Sequence, residues 1–208
     1  MIDFNTLVLF ISASLLLALA PGPDNIFVLT QSMLKGAKSG VFITLGLCSG
    51  LVFHTLAVAL GVAAIFQTSL LAFNILKFIG AAYLLYLAYL SFKSSSKSSL
   101  QAEKNNLTLF QLYKRGIIMN VTNPKVSIFF LAFLPQFTNP QNGSITLQIF
   151  ILGALFMLSA LLVFSSIAFM SGKLGNWFKR SHNAENILNK IAGTIFAALA
   201  LKLAFAQR

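Results

Sequence analysis

Acidic residues are almost absent from this sequence. Only 4 of its 208 residues are Asp or Glu, against 15 Lys or Arg, and charged residues make up 9% of the chain. Ordinary soluble domains carry about a quarter. The chain is 57% hydrophobic, and its mean hydropathy is +0.83. So few charges exclude a soluble globular domain and predict an all-α integral membrane protein.

Cysteine and histidine are also scarce, which limits the chemistry that the chain can support. Cys48 is the single cysteine and lies in an apolar segment, so an intrachain disulfide is impossible and we interpret it as a small packing residue. The two histidines, His54 and His182, fall in different surroundings. The sequence has no glycine-rich nucleotide loop and no paired catalytic acids. We therefore predict that the protein is not an enzyme and carries no cofactor or metal.

The net charge of +11 reflects membrane topology rather than a nucleic-acid site. Most basic residues occupy short segments between apolar runs, as they do in loops that face anionic lipid. The residues on this basic side are Lys35, Lys38, Lys93, Lys97, Lys104, Lys114, Arg115, Lys173, Lys179, Arg180 and Lys190. The opposite side has Lys77, Lys202 and Arg208, and we expect the first two to extend to the membrane surface. By the positive-inside rule the basic side is cytoplasmic and both termini lie outside the cytoplasm.

Six apolar segments are long enough to cross about 30 Å of hydrocarbon. They run approximately over residues 5–34, 40–66, 70–92, 112–137, 144–171 and 186–206. The polar stretch between the third and fourth segments predicts a flexible cytoplasmic linker over 93–111, which separates residues 1–92 from residues 112–208. Each part then holds three spans. A five-span topology, in which one segment only dips into the bilayer, is the alternative.

The first apolar segment contains residues that stop a helix. Pro21, Gly22 and Pro23 are followed at once by Asp24, and this turn lies in a run too apolar for a surface loop. Pro23 precedes Lys35 by 12 residues, which is about 18 Å of helix at roughly 1.5 Å per residue. The first span is therefore predicted to break near the middle of the bilayer.

The second half of the chain repeats this break. Asn123, Pro124 and Lys125 interrupt the fourth segment, and Pro124 follows Arg115 by 9 residues, about 13 Å along a helix. Pro124 corresponds to Pro23, and a basic residue follows it where an acid follows Pro23. Since each half has three spans, the pattern predicts two inverted three-helix repeats with spans 1 and 4 broken near the midplane. Two ordinary proline kinks, healed by neighbouring helices, are the alternative.

The two breaks also carry a resemblance to a known family. The sequence resembles the LysE/RhtB family of bacterial amino-acid exporters at residues 21–24 (PGPD), 80–87 (GAAYLLYL), 120–125 (NVTNPK) and 133–137 (FLPQF). The likeness extends over essentially the whole chain. It implies proton-driven export, across the bacterial inner membrane, of an amino acid or a derivative such as homoserine, threonine, leucine or lysine. It does not choose among these substrates.

Charged and polar residues at the two breaks predict the chemistry of a binding site. Helix N-termini favour anions, so Asp24 suits its position, whereas Lys125 requires a nearby anion. Because an unpaired charge in hydrocarbon is costly, we expect Asp24 and Lys125 to approach each other in the empty protein. A zwitterionic amino acid would replace this pair, with its ammonium toward Asp24 and its carboxylate toward Lys125. Asn25 and Asn123 would supply neutral hydrogen bonds.

Proton coupling requires a group that can change its charge. Asp24 is the first candidate, because burial and the neighbouring Lys125 act on its charge in opposite directions. His54 is the second, because the unperturbed pKa of histidine lies near neutrality. A neutral His54, hydrogen-bonded between helices, is the alternative. Gln31 and Gln136 follow the breaks and are candidates for lining the transport pathway.

Two other functions fit parts of this pattern. A cation or metal exporter would use Asp24 and the asparagines as oxygen ligands, although Lys125 beside the site counts against it. A membrane scaffold that transports nothing would pack through glycine faces such as Gly46 and Gly50, whose spacing allows close helix approach. That spacing also leaves a homodimer contact open, although packing within the chain is its commoner use.

Overall fold

The computed structural model describes residues 2–62, 70–93, 107–180 and 184–205. Every regular element within these ranges is helical, which confirms the predicted all-α class. The polar linker predicted over 93–111 lies largely outside them, because residues 94–106 are not described. Lys97, Lys104, His182 and Arg208, which entered the sequence predictions, also lie outside the described residues.

Eight α-helices lie within the described ranges. They are α1 (Phe4–Leu19), α2 (Pro23–Lys35), α3 (Ala37–Ala57), α4 (Leu70–Lys93), α5 (Leu109–Val121), α6 (Pro124–Ile128), α7 (Ile145–Arg180) and α8 (Ala184–Ala204). A π-helical turn, Val58–Val62, continues α3. A second one, Phe129–Phe133, continues α6 into a 3₁₀ turn at Leu134–Phe137, and another 3₁₀ turn, Pro140–Asn142, precedes α7.

The described helices provide four to six candidate membrane spans. Four are long and apolar enough to cross a membrane singly, namely Ala37–Gly61, Asn74–Lys93, Ile145–Lys173 and Asn186–Ala204. Two more form if each bent pair crosses once. In these pairs α1 meets α2 at 59°, and α5 meets Pro124–Phe137 at 50°. The protein is therefore a multi-pass membrane protein, and its helices are interrupted where the prolines predict.

Local sequence explains where the broken helices begin. Asp3 caps α1 by accepting a 2.9 Å hydrogen bond from the backbone N–H of Thr6, as short polar side chains do at helix starts. Pro23 and Pro124 are the first residues of α2 and α6, where the missing N–H of proline leaves no helical hydrogen bond unmade. The same prolines that end one helix thus start the next one in a new direction.

Glycines bring α3 and α5 into backbone contact. A Cβ atom added to Gly116 would lie 2.5 Å from a carbonyl oxygen of α3, and one added to Gly46 would meet the carbonyl oxygen of Tyr113. Gly50 faces Asn120 across the same helix pair, where a Cβ would lie 2.7 Å from the asparagine side chain. The Gly46–Gly50 spacing therefore serves packing within the chain, and α5 fills the face that a second copy would need.

The remaining helices surround this pair. α7 packs against α1, α2 and α3, and α4 packs along α8. Fully buried aromatic rings fill the centre, among them Phe10, Phe129, Phe130 and Phe133. Lys77 on α4 is buried instead of extending to the surface as predicted, with its ammonium 4.8 Å from the ring centroid of Phe78. The aromatic face offers the cation a favourable electrostatic contact inside the protein.

Candidate functional site

The two helix breaks meet in the interior of the protein. Asp24 lies in the first turn of α2 and Asn123 immediately precedes α6, so they are far apart in the chain. Nevertheless, Nδ2 of Asn123 donates a hydrogen bond of 2.9 Å to Oδ2 of Asp24. Only 2% of Asp24 and 5% of Asn123 is exposed. Four polar residues predicted for the site, these two with Asn25 and Lys125, are all buried where the breaks meet.

The C-terminus of α1 supplies backbone carbonyls to the same place. The last carbonyls of a helix lack partners within it and carry a partial negative charge. Nδ2 of Asn25 donates to the carbonyl of Ala18 at 2.7 Å. The Lys125 ammonium donates to the carbonyls of Leu17 and Ala20, at 3.4 and 3.1 Å. Side chains from both breaks thus satisfy the helix end that the first break leaves open.

Asp24 and Lys125 are joined indirectly, and the direct pair expected from the sequence is not what the structure shows. The hydrogen bonds of the Lys125 ammonium go to the α1 carbonyls, and that of Asp24 comes from Asn123. Oδ1 of Asn123 also accepts a 3.0 Å hydrogen bond from the backbone N–H of Lys125. One amide therefore connects the acid to the helix that carries the lysine. The partial negative charge at the end of α1 takes the place of a carboxylate for the cation.

Gly22 provides the space that the Lys125 ammonium occupies. A Cβ atom at Gly22 would lie 3.1 Å from Nζ of Lys125, so any side chain there would press on the ammonium. The backbone of Gly22 is extended, with φ at −164°, which any residue can adopt. The backbone angles therefore do not require glycine here, whereas a side chain would require the Lys125 ammonium to shift by a few tenths of an ångström.

Several buried oxygens at the breaks have no hydrogen-bond donor. Within the described part of the chain, Oδ1 of Asp24, Oδ1 of Asn25 and Oδ1 of Asn120 are buried and unpartnered. Buried polar atoms without partners are rare in folded proteins and each requires an explanation. A ligand with several N–H donors would satisfy them. Asn120 was not among the predicted site residues; an amide in the otherwise apolar last turn of α5, three positions before Asn123, was the signal that could have identified it.

His54 lies beside the second break. Its Nε2 is 3.2 Å from the carbonyl oxygen of Asn120, which also accepts a 3.0 Å hydrogen bond from the backbone N–H of Asn123. The ring is half-buried and stacks at 5.6 Å from that of Phe130. His54 thus contacts the C-terminal end of α5 much as Asn25 contacts that of α1. This is the interhelical hydrogen bond that was the alternative interpretation of the residue.

The two candidate pathway residues lie in different environments. Gln31 on α2 is buried, and its Oε1 has no donor among the described residues. Gln136 is half-buried and lines a cavity of about 840 Å³. This outer cavity lies where α1 begins and α8 ends. Lys202 also lines it, with Nζ 4.4 Å from the ring centroid of Phe137, so its ammonium lies at a cavity rather than simply at the membrane surface.

Basic residues of α2 and α5 lie together at the other end of the bundle. Nζ of Lys35 donates to the carbonyl of Leu107 at 3.3 Å. The guanidinium of Arg115 lies 5.0 Å from the ring centroid of Phe27. The first contact joins the C-terminus of α2 to the residues that precede α5, and the second joins the middle of α5 to the first half of α2. Basic residues on both sides of the predicted linker thus contact the same pair of helices.

The charges at the breaks are poorly suited to a metal ion. In the ranges that the structure describes, no three His, Cys, Asp or Glu side chains lie close enough to share one. The buried Lys125 ammonium at the same break would also repel a second cation.

An apolar helical bundle in which two broken helices bring buried polar side chains together has the architecture of a membrane transporter with discontinuous helices. Comparison with known families then identifies the group. The family model described as "LysE type translocator" matches residues 15–207, and the chain belongs to this family. The resemblance noted in the sequence is thereby confirmed, and the family and its named relatives indicate a transporter rather than an enzyme.

Relatives with similar sequences cover nearly the whole chain. The homoserine/homoserine lactone efflux protein of Salmonella typhimurium is 33% identical over 95% of both chains, and the protein of that name from Salmonella typhi is 32% identical over the same share. The uncharacterized membrane protein YrhP of Bacillus subtilis is 31% identical over 95% of this chain and 98% of its own. No solved structure matches the chain significantly.

Proposed function

We propose that this protein exports amino acids, or close derivatives of them, from the bacterial cytoplasm. The family supplies the class of transporter, and two relatives are named for efflux of homoserine and homoserine lactone. The observation that carries the proposal is the set of buried oxygens without donors on residues of the two breaks, which also bury the Lys125 ammonium. An amino acid brings the complementary groups, because its ammonium donates three hydrogen bonds and its carboxylate accepts them.

The ammonium end of the substrate is the part that this site is best equipped to hold. The unpartnered Oδ1 atoms of Asp24, Asn25 and Asn120 are acceptors for its N–H groups. At the other end, the Lys125 ammonium would leave the α1 carbonyls for the substrate carboxylate. Homoserine and its lactone both carry an ammonium, but only homoserine carries a free carboxylate. A transporter of both compounds would therefore have to recognise them mainly through the ammonium, which Asp24 would bind. Lys125 would donate to a lactone carbonyl in the same position.

The packing of the helices supports two inverted three-helix repeats, residues 1–92 and 112–208. If the two repeats are related by symmetry, each contact between a helix of the first repeat and a helix of the second has a counterpart between the two equivalent helices. In this scheme α3 is equivalent to α7, and α5 is equivalent to α1. α3 packs on α5, and its counterpart α7 packs on α1 and α2. α3 also packs on α7 and α4 on α8, as equivalent helices should. Six spans and a rocking motion about the two breaks would then expose the site to each side in turn.

The distribution of charge supports an orientation in the inner membrane. Lys35 and Arg115 lie at one end of the bundle, with Lys38 and Lys114 close to them in sequence. By the positive-inside rule this end faces the cytoplasm, so the outer cavity and both termini face away from it. Anionic lipid headgroups on the cytoplasmic side would be the partners of these lysines and arginines.

Asp24 is the group that we propose for proton coupling. A carboxylate can hold a proton or the ammonium of a substrate, but it cannot hold both at full strength. Release of the substrate to the outside would therefore allow a proton to bind, and release of that proton to the cytoplasm would restore the site. This exclusion would give proton antiport if the transporter changes conformation only with substrate or a proton bound. His54 remains the second candidate, with its ring already bonded to the carbonyl of Asn120.

Efflux from preloaded cells tests this function directly. Cells that overproduce the wild-type protein or Asp24→Asn are loaded with each of the twenty amino acids, homoserine or its lactone, and release is followed over time. We expect at least one compound to leave faster with the wild type. Loss of a charged hydrogen bond, about 1.5–3 kcal/mol, would weaken ammonium binding in Asp24→Asn by about 10- to 150-fold.

The comparison needs a matched control and a clear contradiction. Lys38→Met removes a charge from an exposed position at the basic end, so it should export like the wild type at the same membrane abundance. Unchanged release of every compound on overproduction would contradict the proposed function. Efflux by Asp24→Asn at the wild-type rate would instead show that Asp24 does not bind the substrate.

A further inference from the structure

The outer cavity contains charges of both signs in its wall. Its volume of about 840 Å³ lies within the range of small-molecule sites, roughly 300–1,000 Å³. Asp3 and Lys202 both line it, although the chain has only 4 acidic residues. One quarter of the acidic side chains thus borders the same cavity as a lysine from a membrane helix.

Asp3 and Lys202 do not neutralise each other. The carboxylate of Asp3 accepts from Thr6, at 2.9 Å from the backbone N–H and 2.6 Å from the hydroxyl. The Lys202 ammonium rests over the ring of Phe137 at 4.4 Å. Among the described residues no ion pair joins the two side chains. A carboxylate oxygen has lone pairs to spare beyond these bonds, and an ammonium over a ring keeps its N–H donors for another acceptor.

Aromatic rings form the floor of the outer cavity and lead toward the breaks. Phe133 and Phe137 line the cavity and lie 5.0 Å apart, centroid to centroid. Phe133 in turn lies 4.9 Å from Phe129, which follows Lys125 by one helical turn. The segment Phe129–Phe133 is a π-helical turn, a form that is frequent at functional sites. Successive ring contacts therefore connect the cavity wall to a residue one helical turn after Lys125.

We propose that the outer cavity is a second binding site for small zwitterions, which holds the substrate after it leaves the breaks. Lys202 binds the carboxylate, Asp3 binds the ammonium, and a short aliphatic side chain rests on Phe133 and Phe137. The amide of Gln136 lies at the same wall. That the substrate reaches the outer cavity from the breaks rests on the proposed export function, whereas binding of a zwitterion in the cavity does not. The ligand is a free amino acid rather than the zwitterionic headgroup of a phospholipid.

Protection of an introduced cysteine tests this second site. Gln141 lines the cavity and is exposed, so Gln141→Cys in a Cys48→Ser background provides a label site for a polar thiol reagent. Ser144→Cys, exposed nearby but not in the cavity wall, is the control. Labelling is measured in nanodiscs of phosphatidylglycerol, with and without phosphatidylethanolamine, while homoserine, threonine or leucine is added separately.

At least one amino acid should slow labelling of Gln141→Cys by about fivefold once it reaches about four times its Kd, because the rate follows the free fraction. Ser144→Cys should not respond. Lys202→Met should abolish the protection, whereas Lys125→Met should keep it. Loss of binding in the outer cavity can therefore be distinguished from loss of the proposed export function, which depends on the site at the breaks. The proposal is overturned if no amino acid protects, if Lys125→Met removes the protection, or if phosphatidylethanolamine alone protects.

Discussion

Replacing Asn123 by alanine should destabilise the protein substantially, because this one amide makes two buried hydrogen bonds. Its Oδ1 caps α6 at the backbone N–H of Lys125, and its Nδ2 donates to Asp24. Loss of a helix cap costs about 1 kcal/mol, and loss of a hydrogen bond to a charged buried acceptor costs about 1.5–3 kcal/mol. The sum of about 2.5–4 kcal/mol corresponds, for a chain of this length, to a fall in Tm of about 5–15 °C.

Thermal unfolding in detergent measures this change, with a thiol-reactive fluorescent dye that reports exposure of Cys48. Cys48 is the single cysteine and is half-buried. Asn5→Ala is the matched control, since Asn5 is exposed in the first turn of α1, and it should leave Tm unchanged. A Tm for Asn123→Ala within about 2 °C of the wild type would refute the two-bond account of the residue.

Asn123→Asp separates the two bonds. Aspartate caps a helix as well as asparagine does, so the bond to the N–H of Lys125 is kept. The donor toward Asp24 is lost, and a second carboxyl takes its place at hydrogen-bond distance. The variant should be less stable than the wild type at neutral pH and should recover as the pH falls, because protonation of one carboxyl restores a donor. Stability that does not change with pH would contradict this arrangement.

Two further substitutions test the packing and the coupling. Gly46→Leu should lower Tm by several degrees, because the new side chain would meet the carbonyl of Tyr113 and overpacking costs about 1–3 kcal/mol. Gly172→Leu is the control and should leave Tm unchanged, because a Cβ atom at Gly172 meets nothing within 4 Å. His54→Gln keeps a side-chain N–H donor for the carbonyl of Asn120 but cannot take up a proton at physiological pH. Its efflux should therefore still depend on the pH gradient, and loss of that dependence in a folded variant would transfer proton coupling from Asp24 to His54.

The positions of the breaks could be predicted because proline acts through covalent geometry. Pro23 and Pro124 fix where helices restart whatever surrounds them, and the structure begins α2 and α6 at these residues. Asp24 and Asn123 meet because both breaks lie at comparable depth in a single bundle. Counting residues from the basic loops was enough to expect the two breaks to meet. The pair expected there was Asp24 with Lys125, whereas the structure joins Asp24 to Asn123.

The partners of Lys125 could not be predicted in the same way. Its ammonium binds the carbonyls of Leu17 and Ala20, and backbone carbonyls are present at every position of a sequence. Only the direction in which α1 ends makes these two available. Asn120 was missed for a different reason. The sequence shows an amide three positions before the second break, but it does not show that the oxygen of this amide is buried without a donor. The burial of Lys77 could not be predicted either, because it depends on how α4 packs against the rest of the bundle.

The efflux rate of Lys125→Ala tests most directly whether the two breaks form a substrate site. The variant is compared with wild type and with Lys38→Ala, at equal membrane abundance and for a compound that the wild type exports. Removal of the buried cation should lower the efflux rate by about tenfold or more, since a charged hydrogen bond to the substrate is worth about 1.5–3 kcal/mol. Lys38→Ala should export normally. Export by Lys125→Ala at the wild-type rate would contradict the account.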